Sequence, residues 1–468
     1  MRAPLRLQDE AFYDEAFYTE VSMSYAAAVE QLNAMAPELY AKPGQPRRKF
    51  SLDEIRALLE ALGNPQKRFP AVLVAGTNGK GSTSATLASI LIAAGVRAGL
   101  YTSPHLERVN ERIRINGTEI ADEDFARTFF RVHDAAQALV LTGKLPQLPS
   151  YFELLTAQAF LYFAEAGVEI AVLEVGMGGR LDATNVVDPL LSVITDISLD
   201  HMEWLGDTIA AITREKAGIL RRGGTMVTLP QHPEANHVLG EVATELGVRG
   251  VNAVPYMPAV SEAGGASSGV YSVAALGVPI EVDSPLKGAH QHRNLALAIA
   301  AAVELKERHG FPITPGAIAK GIRKTRWPGR LERIARDGVE WILDVAHNPA
   351  GAWALRSGLR GLLAERQPQA LVFACLRDKP LAEMAQILFP LFGLVILAPI
   401  QSPRAAAMED LLAAAQATGT PAMVAPSVSD ALRMAQERAA GGTAVISGSV
   451  YLVGEARALL AEGKGDKG

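Results

Sequence analysis

From about residue 70 onward the chain alternates short apolar runs with stretches of helical spacing. The runs at 71–75, 170–175, 191–197 and 225–229 read as strands buried on both faces, which predicts a largely parallel sheet covered by helices. A shorter run at 96–100 adds a strand. Helices are predicted over 82–94, stopped by Gly95, and over 294–307. Strand-like pieces near 270–273 and 278–282 flank the most loop-like stretch, 262–269. Past Trp327-Pro328-Gly329-Arg330 the alternation resumes, with strands at 341–345, 371–374, 394–398, 422–425 and 444–446, each followed by an alanine- and leucine-rich helical stretch. Five such units in about 130 residues make a second compact domain.

Length agrees with this division, since 468 residues exceed one ordinary core. An accessory segment is expected at 1–50, with a near-repeat at 9–18 and a loop at 43–46, then a central domain at 51–326 and a C-terminal domain at 327–468. A hydrophobic fraction of 49 % and a net charge of -5 suit a globular protein and give no footing for nucleic acid. The single cysteine, Cys375, lies in an apolar run and reads as a buried core residue, which excludes a disulfide framework. No apolar stretch reaches the roughly 18 residues needed to span a bilayer, and the N-terminus lacks a signal-peptide core. A cytoplasmic monomer without a membrane partner is the expectation.

Candidate chemistry begins where the run at 71–75 enters Gly76-Thr77-Asn78-Gly79-Lys80-Gly81-Ser82-Thr83. Glycines let the backbone turn with positive φ and bring N–H groups close to a polyphosphate, and the following helix aims its positive end at the same anion. Lys80 would neutralise terminal phosphate charge, while Ser82 or Thr83 could hold Mg²⁺. The spacing departs from the common motif. Only Thr77 and Asn78 separate Gly76 from Gly79-Lys80, and Gly81 stands between the lysine and the hydroxyl. The fold class is therefore α/β: a P-loop-containing, mostly parallel sheet domain with flanking helices, followed by a smaller Rossmann-like C-terminal α/β domain.

Other polar clusters fall at predicted strand ends, the usual ligand-contact positions of open α/β sheets. Ser103, in Tyr101-Thr102-Ser103-Pro104-His105-Leu106, could reach a metal or phosphate, and His105 reads equally as a solvated turn residue. Glu174 terminates an apolar strand ahead of three glycines and is placed to ligate Mg²⁺; a carboxylate, a hydroxyl and nucleotide phosphates would suffice for that ion. In the same run Asp182 reads as the residue most available to a substrate. His201, among carboxylates, is either a second metal ligand or a structural histidine, and Lys216 reads as a helix-surface residue next to a closely packed helix end. In the second half, Arg330 could span a cleft to phosphates, and Asp344-Val345-Ala346-His347-Asn348-Pro349 and Ser447-Gly448-Ser449 place polar groups at strand ends.

Taken in order, these motifs resemble those of the bacterial dihydrofolate synthase/folylpolyglutamate synthase type within the Mur ligase superfamily. The series also includes His290-Gln291 with Asn294, Leu199-Asp200-His201 and Glu215-Lys216-Ala217-Gly218, and it runs from about Ser51 to Ala461. The unusual lysine-loop spacing is the form expected of that family. The resemblance implies ATP and Mg²⁺ as cofactors, and a reaction in which a carboxylate is phosphorylated and then captured by the amino group of L-glutamate. Lys80 would bind the terminal phosphates with Ser82 nearby; Ser103 and Glu174 would hold one Mg²⁺. His201 would hold another, assisted by Lys216, which the resemblance implies is carbamylated. Asn294 and Arg330 would contact ATP, Asp344 its ribose, and His347 and Ser449 the incoming glutamate. Asp182 and Ala183 match the bacterial pattern for dihydropteroate, so either dihydropteroate or a reduced folate is the implied acid substrate.

Two rivals remain open at this level. A cell-wall precursor ligase would use the same ATP and metal set, but the chain has no extra N-terminal nucleotide-sugar domain of about 100 residues. A P-loop NTPase without a bond-forming step would leave the polar strand ends of the second half unexplained.

Overall fold

The computed structural model describes residues 24–35, 51–259, 270–363 and 368–462. The near-repeat at 9–18 and the predicted loops at 43–46 and 262–269 lie outside them.

The first sheet comprises β1 (Ala71–Ala75), β2 (Ala98–Tyr101), β3 (Ile113–Ile115), β4 (Thr118–Glu119), β5 (Ile170–Glu174), β6 (Leu191–Ile194), β7 (Thr225–Thr228) and β8 (Arg249–Asn252), in the order β4-β3-β2-β5-β1-β6-β7-β8. The strands from β2 to β8 in that order run parallel, with Ala71 opposite Ala171 and Val72 opposite Leu191; β3 and β4 are antiparallel additions at one edge. A hairpin, β9 (Val270–Ala275) with β10 (Val278–Asp283), stands apart. The second sheet comprises β11 (Glu332–Arg336), β12 (Val339–Leu343), β13 (Pro368–Phe373), β14 (Val395–Leu397), β15 (Ala422–Val424) and β16 (Thr443–Ser447). Its order is β11-β12-β16-β13-β14-β15, parallel except for β11.

Successive side chains of a strand point to opposite faces, so a strand apolar throughout feeds two cores. Ala71, Leu73 and Ala75 join the core under helices Asp122–Leu141 and Tyr151–Glu165, whereas Val72 and Val74 join that under helices Lys80–Ala93 and Ala289–His309. The second sheet repeats this, with Trp341 and Ile446 on one face and Ile342 and Val445 on the other. The helix Tyr25–Ala34, capped by Ser24, buries Ala28 and Leu32 in the first of these cores, and Tyr25 donates to Asn110 Oδ1 at 2.6 Å.

Helices Lys80–Ala93 and Pro315–Lys324 approach closely at Gly321, whose carbonyl accepts from Ser89 Oγ at 2.6 Å. A Cβ at Gly321 would lie 2.4 Å from Ile90 Cα and 2.7 Å from Ile90 N, where only backbone could yield. Gly321→Ala is therefore expected to destabilise the protein by about 1–3 kcal/mol, seen as a lower denaturant midpoint. An unchanged midpoint would show that this helix pair has room to separate.

The apolar strands lie where the pattern places them, with ends shifted by at most three residues; the run at 191–197 stops pairing as a strand at Ile194. β3, β4, β8 and β11 were not predicted. Each lies at or next to a sheet edge and carries polar or charged residues, because an edge need not be covered on both faces. No helix among the described residues is long and apolar enough to cross a membrane.

Candidate active site

The carboxyl ends of β1, β2, β5 and β6 meet where the first sheet changes direction about β1, the position at which open α/β sheets bind ligands. Helix Lys80–Ala93 starts two residues earlier than its sequence predicts, because Gly79 takes φ 86° as its N-cap. A Cβ there would meet Asn294 Oδ1 at 2.1 Å, so glycine lets the helix Ala289–His309 close over the loop. Asn294 itself donates to Gln291 Oε1. The N–H groups of Thr77 and Asn78 donate to Asp196 O, which takes two donors of the loop away from any anion. The first-turn donors of the helix remain for that purpose. Lys80 Nζ folds back onto Gly76 O and Thr77 O, at 3.2 and 3.1 Å. Just inside the helix, Ser82 Oγ and Thr83 Oγ1 are buried with no hydrogen-bond partner.

At the end of β5 the buried Glu174 accepts from Ser103 N at 3.2 Å, joining the loops after β2 and β5. Burial pushes its carboxyl up, against the opposing pull of Lys80, the Ser103 N–H and Arg330. His105 Nδ1 accepts from Arg112 Nε at 2.9 Å. Asp182 is less free than expected: one oxygen accepts from Met177 N, the other from Thr184 N and Oγ1. Asp182 and Ala183 line a small cavity of about 110 Å³, also bounded by Phe152, Met177 and Trp204.

Helix Ile209–Ala217, capped by Thr208, carries Lys216 inward. The surface reading of Lys216 fails: the residue is 4 % exposed, and Nζ donates to Gly76 O at 2.7 Å. Two lysines thus share one carbonyl. Burial, and then the Lys80 charge, pull Lys216 down to about 7. Gly179 and Gly218 admit this helix end, since a Cβ on Gly179 would lie 2.8 Å from the Glu215 and Lys216 carbonyls and one on Gly218 would strike Arg180.

His201 adopts φ 51°, uncommon for a non-glycine residue and typical of functional loops. Burial, with Lys379 and Lys80, brings it down to about 4 despite Asp200. His347 also falls to about 4 through burial and Lys379, and its Nδ1 lies 2.8 Å from Val345 O. Both imidazoles are therefore neutral at pH 7. Between them Asp200 accepts from Lys379 Nζ at 2.6 Å and Asn348 Nδ2 at 3.2 Å, and Asn348 also donates to Asn78 Oδ1. Burial opposes ionisation of Asp200, but its cationic surroundings, at neutral pH the Lys379 ammonium, hold it well below the usual carboxylate range. These bonds join loops of the first sheet to loops after β12 and β13.

Arg330 is held beside Asp344, which accepts from Leu331 N and Ala346 N. Burial acts against the charge on both residues, and each offsets it for the other. Ser449, buried at the end of β16, accepts from Tyr451 N. A cavity of about 500 Å³ lies between the two sheets, and Ser103, Glu174, His201, Arg330, His347 and Ser449 all line it. Lys80, Lys216 and Gly76 meet just beside it. Asn294 and Asp344 are not among its lining residues, and Asp182 and Ala183 belong to the smaller cavity, which shares Phe152 and Met177 with the larger.

Among the described residues no three His, Cys, Asp or Glu side chains gather to hold a metal ion. The partnerless Ser82 hydroxyl and the lightly bonded Glu174 carboxylate nonetheless fit a hard cation completed by water and phosphate oxygens. Sequence reasoning missed Arg112 and Lys379. Both stand in short charged stretches with no flanking glycines, and only the folded chain turns them into a cavity.

Residues 74–302 match the family described as Mur ligase middle domain, and residues 329–450 match Mur ligase, glutamate ligase domain. The folylpolyglutamate synthase of Lacticaseibacillus casei is 36 % identical over 448 residues, covering 94 % of this chain and all of that one. Mycobacterium tuberculosis folylpolyglutamate synthase, solved with ADP and AMPPCP, superposes with a TM-score of 0.80 at 35 % identity, over 88 % of this chain and 95 % of that one. Escherichia coli FolC, solved with DHPP and ADP, gives 0.79 at 30 % identity, over 94 % and 98 %. With similarity spanning both sheets and the loops between them, the chain belongs to the dihydrofolate synthase/folylpolyglutamate synthase family of ATP-dependent Mur ligases.

Proposed function

We propose that this protein uses MgATP to join L-glutamate in amide linkage to dihydropteroate or to the glutamate tail of a reduced folate, releasing ADP and phosphate. The observation that carries the reading is the cavity in which Glu174 and His201 of the first unit face Arg330, His347 and Ser449 of the second, next to the glycine-lysine loop. Relatives and solved neighbours with folate-ligase names support the substrate class. Residues 51–326 form the nucleotide and acid-substrate unit, and residues 327–468 the glutamate unit.

A carboxylate is a poor acyl donor. Its oxygen attacks the terminal phosphorus of ATP, the bond to ADP breaks, and the acyl phosphate carries a good leaving group; the glutamate amine then attacks the acyl carbon and phosphate departs. Lys80 releases its two carbonyls to meet the terminal phosphates, and Gly76 to Thr83 and Asn294 seat the nucleotide, with Asp344 at its ribose. Arg330 offsets charge that accumulates in transfer. Ser82, Ser103 and Glu174 would hold one Mg²⁺, and His201 with carbamylated Lys216 another; bound there, the ions supply further neutralisation of phosphate charge. His347 donates from Nδ1 to Val345 O, which leaves Nε2 unprotonated and suited to the proton that leaves the attacking amine. Asp182 and Ala183 bound the dihydropteroate pocket. Closure of the two units over the bound substrates would exclude the water that hydrolyses the acyl phosphate.

The test is phosphate release from MgATP and L-glutamate with dihydropteroate, tetrahydrofolate or a muramyl nucleotide added in turn. Release is expected with the pterin-bearing acids. Dependence on the muramyl compound would replace this reading with the cell-wall ligase, and release without any acid would replace it with a plain NTPase.

A further inference from the structure

The wall of the large cavity contains a cation to which nothing above gives a task. Arg112 ends the turn Val109–Arg112 and leads into β3, which pairs with β2; its carbonyl accepts from Thr102 N, next to Ser103. The residue is 8 % exposed and lines the cavity. Its Nε donates to His105 Nδ1 at 2.9 Å, and its guanidinium carbon lies 5.4 Å from the centre of the Tyr151 ring. Among the described residues it has no carboxylate partner, whereas Arg114, two residues on, pairs with Glu119. Glu174 acts on its charge only from a distance, and a guanidinium taken out of water without a contacting counter-charge is costly. Such a group set over a ring, with no hydrogen bond from its two terminal nitrogens among the described residues, matches the fork geometry of a carboxylate.

We propose that Arg112 is a specificity-determining residue that binds the α-carboxylate of the tail glutamate in a folate substrate, with His105 as the positioning residue that fixes its orientation. Arginine can only donate, so His105 Nδ1 must accept and its ring keeps the proton on Nε2, where it offers a second donor on the same wall. The choice of carboxylate follows from the chemistry. Dihydropteroate brings one carboxylate, which is the reacting group. A folate tail brings two, and while the γ-carboxylate reacts the α-carboxylate is left to be recognised. Arg112 therefore favours tail elongation over the first glutamylation. This inference rests on the folate-ligase reading above.

The experiment compares tetrahydrofolate with tetrahydropteroyl-γ-aminobutyrate, which keeps the reacting carboxylate and lacks the α-carboxylate. For Arg112→Met, kcat/KM with tetrahydrofolate is expected to fall by about 10- to 100-fold, mostly through KM, while the analogue loses no more than about threefold and the KM for glutamate does not move. Arg112→Lys, which keeps the charge but not the fork, is expected to lose about fivefold on tetrahydrofolate alone, and it serves if the methionine variant does not fold. Equal losses on both acids, or no loss on either, would overturn the assignment. A wild-type enzyme that turns over neither acid would instead remove the folate reading on which it rests.

Discussion

Replacing Lys216 with alanine is expected to lower ligase turnover by at least about 10³-fold, with partial recovery on adding formate or acetate. The side chain is fully inside the protein, and its nitrogen shares Gly76 O with Lys80. Burial and the second ammonium pull it down to about 7, so at neutral pH much of it is the free amine. A free amine adds to CO₂: the N–C bond forms, one proton leaves, and the buried neutral amine becomes an anion beside Lys80. The sign with pH follows. At constant dissolved CO₂ the amine, and hence the carbamate, increases as pH rises through about 7 and is lost below it. Labelled CO₂ should give a carbamate carbon resonance that the alanine variant lacks. Full activity of that variant without an added carboxylate would refute the carbamate.

Asp200→Ala should have the second largest effect. Asp200 and Lys379 are 8 % and 5 % exposed at their side chains and form a 2.6 Å ion pair between the two sheets. Removing the carboxylate strands the Lys379 ammonium next to His201 and His347, and Asn348 loses one of its two acceptors. Breaking one side of a buried pair costs about 3–5 kcal/mol. Because the pair bridges the units, that cost acts on their closed arrangement. A fall in kcat of about 10²- to 10³-fold is expected with little change in nucleotide affinity, since the glycine-lysine loop keeps its bonds to Asp196 and Ser198. Loss of nucleotide binding in parallel with kcat would show that Asp200 supports the loop rather than the closure. Lys379→Met in the same background removes the stranded charge and should recover thermal stability without recovering turnover.

The central strands were legible because burial on both faces demands unbroken apolar runs, which no surface element needs. Edge strands such as β11, Glu332–Arg336, carry no such demand, and their pairing became visible only with the partner strand in place. The glycine-lysine loop was legible for a related reason, since a turn that crowds Asn294 and Trp327 admits only glycine at positions 79 and 81. Its detailed use was not: two of its N–H groups serve Asp196, a residue 118 to 119 positions away in sequence. Lys216 shows the limit most clearly. In sequence it is one cation among the charged residues of a short helix, and its burial against Gly76 depends on two glycines, 179 and 218, letting separate segments meet.

The chain by itself determined the two-sheet α/β architecture, the glycine-lysine loop and the order of polar strand ends, because periodicity, glycine conformation and strand termination are local properties. Tertiary structure alone decided which of those ends share a cavity, that burial pulls Lys216 down to about 7, that Asp182 is already bonded, and that Asp200 is clasped by Lys379. Those are consequences of desolvation and of charges brought together from distant positions, and neither is present until the chain has folded.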